Sequence, residues 1–440
     1  MQLDFKRGDF PDGFLFGTAT SAYQIEGASF GGAGLCQWDI FAQTPGNVVR
    51  GENGAVACDH YHRWEADLDL VRDAGLDSYR FSTSWARVMP DGKTVNPEGL
   101  DFYDRLVDGM LERGIKPMAT LYHWEMPAAL QDLGGWRNRD VADWFADFTT
   151  HVMTRIGDRM HTVAPVNEPW CVAWLSHFMG HHAPGLRDIR AATRAMHHVL
   201  LAHGKSTQAM RALGMTGLGA VMNHEYAQPV DDTEEAARLA RIYDGIYNRW
   251  FLGGVFRKEY PADIIEHLGP HMPHGWQDDF DTIAQPLDWV GINYYTRKLI
   301  GPDGSDLFPY LEEREGPLEK TAMDWEIYPD GLHHFIHHTG QYTDLPIYIT
   351  ENGLASYDRV EDGRVMDAQR IRYLNSHVAA VKRAMDEGAN VAGYTIWSLL
   401  DNYEWALGYD KRFGLVHVDF DSLERTPKQS WHALKTALAH

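Results

Sequence analysis

Short apolar or β-branched runs alternate along the chain with longer stretches of helical periodicity. The strand candidates are 14–19 (FLFGTA), 78–83 (SYRFST), 117–122 (PMATLY), 162–166 (TVAPV), 217–222 (GLGAVM), 288–293 (DWVGIN), 346–350 (PIYIT) and 391–397 (VAGYTIW). Each has the length and apolar character of a strand buried on both faces. Between them, 62–73 places Trp64, Leu68 and Val71 at helical spacing and stops at Gly75. Similar patterns predict helices near 99–113, 140–156, 190–213, 233–251 and 367–387, and a last one after Pro427. Eight strands alternating with helices predict either a closed (β/α)8 TIM barrel or a doubly wound sheet. No Gly-rich nucleotide fingerprint follows the first strand, which favours the barrel. The expectation is a single TIM-barrel catalytic domain over residues 1–440, with extended βα loops at its C-terminal face. The polar stretch 297–326 is the longest of these and reads as irregular.

In such a barrel the chemistry stands just past the C-terminal ends of the strands. Those positions hold Gln24 and Glu26 after strand one, Arg80 on strand two, His123 and Trp124 after strand three, and Asn167 and Glu168 after strand four. Asn293 and Tyr295 follow strand six, Glu351 and Asn352 strand seven, and Trp397, Glu404 and Trp405 strand eight. Carboxylates, amides, an imidazole and indoles together suit a ligand with many hydroxyls and an apolar ring face. Strands four and seven lie across the ring, so Glu168 and Glu351 can flank one bond, the equipment of glycoside hydrolysis. Pro169 biases Glu168 to an extended backbone. Singly, N-E-P or E-N-G is a weak signal, and Arg80, Trp124 or Trp397 could serve the core. The joint placement carries the argument.

Composition narrows the partners. The chain has 440 residues and a formal charge of −22, with 40 basic and 62 acidic side chains. That balance excludes nucleic acid and anionic lipid as expected partners. No apolar run approaches the ~18 residues of a membrane span. Cys36, Cys58 and Cys171 have neither disulfide-framework nor metal-ligand spacing, and the opening MQLDFKRGDFPDG lacks the layout of a signal peptide. The expected location is the cytoplasm. The 15 Trp exceed core needs and fit a sugar-binding cleft. Monomer and homo-oligomer remain equally open.

The ordered motifs FPDGFLFGTATSAYQIEG, CDHYHRWEADLDLVRDAGLDSYRFSTSW, TLYHWEMPAAL, VNEPW, GINYYT, YITENG, YTIWSLLDNYEW and RTPKQSW resemble glycoside hydrolase family 1, the β-glucosidase family, over nearly the whole chain. The resemblance implies a retaining β-glycosidase that releases terminal β-D-glucosyl residues through a covalent intermediate. Glu168 would be acid/base and Glu351 nucleophile, with Arg80, Asn293 and Tyr295 around the nucleophile. Gln24, His123, Trp124, Asn167, Glu404 and Trp405 would surround the sugar over a Trp397 platform, with no cofactor and no metal. In that mechanism Arg80 and Tyr295 should lower the pKa of Glu351, and Glu351 should raise that of Glu168.

There are departures. Phe16 stands where Trp is usual, Thr83 where Ile is common, and Ala164-Pro165-Val166 leads into N-E-P; Pro165 deletes a ladder bond and can shift Asn167. Glu404 disfavours 6-phosphoglycosides by charge, and Glu168 is not the Gln of thioglucosidases. β-Galactosidase or β-fucosidase activity, and a non-catalytic sugar-binding barrel, are the alternatives. The HHFIHH run at 333–338 offers His pairs at i, i+4 but no Glu between them. On a helix outside the barrel it reads as a surface histidine cluster, and the pairs His181-His182 and His197-His198 read the same way.

Overall fold

The computed structural model describes residues 2–439. Eight parallel strands form the ring: β1 Leu15–Ala19, β2 Ser78–Ser82, β3 Lys116–Tyr122, β4 Thr162–Val166, β5 Gly219–Pro229, β6 Trp289–Pro302, β7 Ile347–Asn352 and β8 Val391–Trp397. They pair in the order β4-β3-β2-β1-β8-β7-β6-β5. Two parallel bridges, Val163 to Leu218 and Asn167 to Val221, close β4 onto β5. A principal helix follows each strand: α1 His60–Asp73, α2 Pro97–Glu112, α3 Val141–Ile156, α4 Ile189–Ala212, α5 Glu234–Asp244, α6 Pro329–Gly340, α7 Ala368–Asp386 and α8 Gln429–Ala437. The fold is a (β/α)8 TIM barrel.

Helix α2 shows why these segments take this form. Asn96 accepts the Glu98 amide as N-cap and Pro97 occupies the first helical position, where an amide is dispensable. Phe102, Tyr103, Leu106, Val107 and Met110 then recur on one face and are buried against the ring. Several charges are buried too, each matched. Lys428 pairs with Asp358 and Asp401, and Arg370 with Asp358 and Asp367, fastening the last helix and the β7 exit loop together.

Three features differ from the sequence reading. Strand β6 does not end near residue 293. It runs on to Pro302 and folds back through Leu311–Arg314 as an antiparallel ribbon, so part of 297–326 is ordered strand. Strand β5 likewise extends to Pro229, pairing with that ribbon past a register shift between His224 and Tyr226. The pattern 233–251 divides, with α5 passing through a π-helical turn at Gly245–Arg249 before Trp250–Arg257.

Candidate active site

Strand β4 delivers Asn167 and Glu168 through an irregularity. The Val163 amide donates to Gly217 O on the β5 side, whereas the Asn167 amide donates to Tyr122 O on the β3 side. Residues four apart in a regular strand would donate to the same neighbour, so the strand rotates across Pro165, which has no amide to hold it. Glu168 is not extended. Its φ is +52°, while its carbonyl accepts the Val172 amide and Pro169 begins the next helical turn. The pre-proline preference loses to the need to turn the side chain inward and start a helix at once. Trp124 (φ +77°) and Trp405 (φ +51°) share this left-handed backbone. Such conformations cost about 1 kcal/mol each and concentrate where a scaffold over-determines a site.

Strand β7 aims Glu351 with a bulge. Ile292 pairs with Ile349 but Asn293 with Glu351, so Thr350 is an extra residue. The Thr350 hydroxyl donates to Asn293 Oδ1 at 2.6 Å. Gly353 has a separate reason: a Cβ there would lie 1.9 Å from the carbonyl oxygen of Trp397. Asn352 is structural, its amide donating to Tyr294 O (2.6 Å) and the Tyr373 hydroxyl (3.0 Å).

The two carboxyl groups belong to one buried network. Arg80 donates to Glu351 Oε1 and to Asn167 Oδ1, both at 2.6 Å. The Tyr295 hydroxyl donates to Glu351 Oε2 at 2.6 Å. Asn293 Nδ2 donates to Glu168 Oε1 at 2.7 Å and to Asn167 Oδ1 at 3.0 Å. The other oxygen of Glu168 accepts from the Cys171 thiol at 3.1 Å. Burial and the Glu168 charge hold that thiol far above its usual pKa, so it stays a donor.

Burial, joined by the charge of Glu351, pushes Glu168 up to about 8. Burial also raises Glu351 above the ordinary carboxylate value, against the pull of Arg80 and Tyr295. This corrects the lowered value expected for Glu351, because full desolvation outweighs one cation and one hydroxyl. The asymmetry survives: Glu351 has a guanidinium in contact, whereas Glu168 has only an amide and a thiol. Glu404 is likewise pushed up to about 8, by burial and by the charges of Glu351 and Glu168.

A cavity of about 620 Å³ opens over these groups, lined by His123, Trp124, Glu168, Tyr295, Glu351, Trp397, Glu404 and Trp405. The His123 ring lies near-parallel to Trp397, 5.6 Å between centres, and Trp124 sits 4.9 Å from Trp405. Burial and Arg80 keep His123 neutral. Its Nδ1 and Oε2 of Glu404 are buried polar atoms without a protein partner. Arg80, Asn167 and Asn293 stand behind the lining and act on it through the bonds above.

Gln24 is fully buried. Ser21 donates to its Oε1, and its Nε2 donates to Asn402 Oδ1 (3.0 Å) and Tyr403 O (2.8 Å). Glu26 is not in the site at all; it pairs with Arg87 at 3.1 Å and accepts from Tyr103. Cys171, Trp325 and Phe413 line the cavity unforeseen. The Cys171 position, three residues after Glu168 where a helix starts, was the available signal.

A barrel whose strand ends converge on paired, unequally supported carboxyls beside an aromatic wall is a glycosidase scaffold. The model of glycosyl hydrolase family 1 matches residues 6–439. The chain belongs to glycosyl hydrolase family 1. It is 44% identical over 434 residues to β-glucosidase A of Thermotoga maritima, covering 96% of this chain and 97% of that one. It is 45% identical over 433 residues to a β-glucosidase of an Agrobacterium strain, covering 96% and 94%. The family 1 β-glucosidase of Thermotoga maritima in complex with isofagomine lactam superposes with a TM-score of 0.94 at 43% identity, covering 98% of each chain.

Proposed function

We propose that this protein is a retaining β-glucosidase in which Glu351 attacks the anomeric carbon and Glu168 first donates, then withdraws, the proton. The observation that carries this reading is the unequal support of the two carboxyls. Arg80 and Tyr295 clasp both oxygens of Glu351 and favour its anion, while Glu168, with no cation in contact, is the better place for the proton. In the first step Glu351 forms the glycosyl ester as the leaving oxygen takes the proton from Glu168. In the second step Glu168, now an anion, removes a proton from water as that water displaces Glu351.

Asn167 is oriented by Arg80 and Asn293 through its carbonyl oxygen and by one Nδ2 hydrogen donated to His123 Nε2 at 3.2 Å, which leaves the second Nδ2 hydrogen for the 2-hydroxyl, a contact that strengthens in the transition state. His123 and Glu404 offer their unpartnered atoms to the remaining hydroxyls over Trp397 and Trp405. Gln24 reaches a hydroxyl by exchanging one of its two amide bonds. A relative 43% identical over 453 residues is named a bifunctional β-D-glucosidase/β-D-fucosidase. Acceptance of β-fucosides is the second reading; D-fucose lacks the 6-hydroxyl and carries its 4-hydroxyl axial, so the unpartnered atoms of His123 and Glu404 would have to serve the inverted 4-hydroxyl. Three free, buried cysteines suit a reducing cytoplasm. Among the described residues no helix is long and apolar enough to cross a membrane.

The test is intact mass after incubation with an activated 2-deoxy-2-fluoro-β-glucoside, followed by peptide mapping. One fluoroglucosyl group on Glu351 is expected. No adduct, together with no hydrolysis of aryl β-glucosides, would overturn the reading and leave a sugar-binding barrel.

A further inference from the structure

The histidine run at 333–338 acquires in three dimensions what it lacks in sequence. Helix α6 projects His333 and His337 from one face, one turn apart, with ring centres 4.7 Å from each other. Glu387, the residue after α7, meets them from the neighbouring helix. Both Nε2 atoms lie 2.7 Å from the same oxygen, Oε2. A donor atom from each of the three residues lies within 4.8 Å of the others. We propose that His333, His337 and Glu387 form a binding site for a zinc-class divalent cation that ties α6 to the end of α7, apart from the sugar-cleaving chemistry.

The donor set suits the ion. Two imidazoles and one carboxylate are zinc ligands at about 2.0–2.2 Å, with a fourth position left for water. Tetrahedral ligands at that distance stand about 3.3 Å apart, so each imidazole nitrogen, now 2.7 Å from the Glu387 oxygen, needs to move away from it by about 0.6 Å. The three residues have the freedom to do so. Their side chains are 21%, 39% and 46% exposed, and an ion can enter from solvent. Neighbouring cations are already neutralised: Arg383 pairs with Asp330 at 2.7 Å and Lys382 with Asp386 at 2.9 Å. The other pair, His334 and His338, packs near Tyr226 and Tyr342, and no third ligand joins it among the described residues. The site would lie on the outer layer, behind β7 and β8.

The experiment is calorimetric titration of zinc chloride into chelator-treated, dialysed protein carrying no polyhistidine tag. One zinc per chain is expected, bound at least tenfold more weakly by Glu387→Gln and not at all by the double variant His333→Ala/His337→Ala. At zinc a hundredfold above Kd the Tm should rise by about 3 °C in the native chain and not at all in the double variant. Hydrolysis of an aryl glucoside should be the same in zinc and in chelator. Absence of one-to-one binding, or unchanged binding by the double variant, overturns the site. Turnover that depends on zinc overturns its separation from the reaction.

Discussion

Esterifying Glu351 removes a negative charge from beside Glu168 without altering the chain, and the structure fixes the direction of the response. In the free protein Glu168 is held near 8 by burial first and by the Glu351 charge second. Two unit charges at the 5–5.5 Å separation of a retaining pair, with an effective dielectric constant near 20, repel by about 3 kcal/mol, or about two pH units on one titration. The covalently bound sugar adds burial, which works the other way. The midpoint should therefore fall by about one to two pH units, from about 8 toward about 6–7.

Two assays read the same side chain with the charge on and off. The kcat/KM for an alkyl β-glucoside, whose poor leaving group needs a proton, should decline above about pH 8 as Glu168 loses that proton. Reactivation of the 2-fluoroglucosyl protein, which uses Glu168 as base, should rise with pH through the lower midpoint. Coincident midpoints would refute the reasoning. They would show that burial alone sets the titration and that the two carboxyls do not sense one another.

Other outcomes follow from the same geometry. Glu168→Ala should cut kcat/KM for alkyl glucosides by about 10³ or more but slow glycosylation by dinitrophenyl glucoside less than about tenfold; equal losses on both would remove Glu168 from the acid role. Glu404 binds its proton more tightly folded than unfolded, so its contribution to stability is present below about pH 4.5 and is lost as pH rises through about 8. Glu404→Gln should accordingly raise the Tm by about 2–4 °C at pH 8, leave it unchanged at pH 4.5 and impair sugar binding, as scanning calorimetry and initial rates would show. Gly353→Ala forces a Cβ against the Trp397 carbonyl and should cost about 3 kcal/mol, lowering the Tm by about 3 °C and displacing the indole beneath the sugar. A fully stable, fully active Gly353→Ala protein would contradict that contact.

The sequence displayed the barrel because its strands are buried on both faces and therefore uniformly apolar. Extensions beyond the ring stayed hidden for the converse reason. The β6 ribbon carries Arg297 and Lys298, and its return strand is Leu-Glu-Glu-Arg, polar residues that pair by backbone and leave no apolar period to detect. Glu168 and Glu351 were legible from their place after strands four and seven. How they are aimed was not. The Thr350 bulge and the left-handed backbone of Glu168 are answers to tertiary geometry that run against local preference. Cys171 and Thr350 escaped notice because a lone thiol or hydroxyl, outside any spacing pattern, carries no mark in sequence of what it touches. Their importance comes entirely from the carboxyl and the amide they touch. Glu26 misled for the opposite reason, being a carboxylate at the right place in the chain whose charge Arg87 already claims.

The ring is fastened unequally. Seven of its seams are ladders of registered pairs, three of them interrupted by register shifts, while β4 meets β5 through two isolated bridges, beside a proline that has no amide to give. Glu168 hangs on that thin seam, and its own amide donates across it to Val221 O at 3.3 Å. Amide hydrogen exchange along 162–168 should therefore run ahead of the rest of the ring, through local openings smaller than global unfolding. On heating, Glu168 should lose its aim before the barrel loses its shape, so activity should fall at temperatures below the Tm. The temperature at which activity fails should then follow that seam, and reinforcing α-helices elsewhere should raise the melting point without raising that temperature.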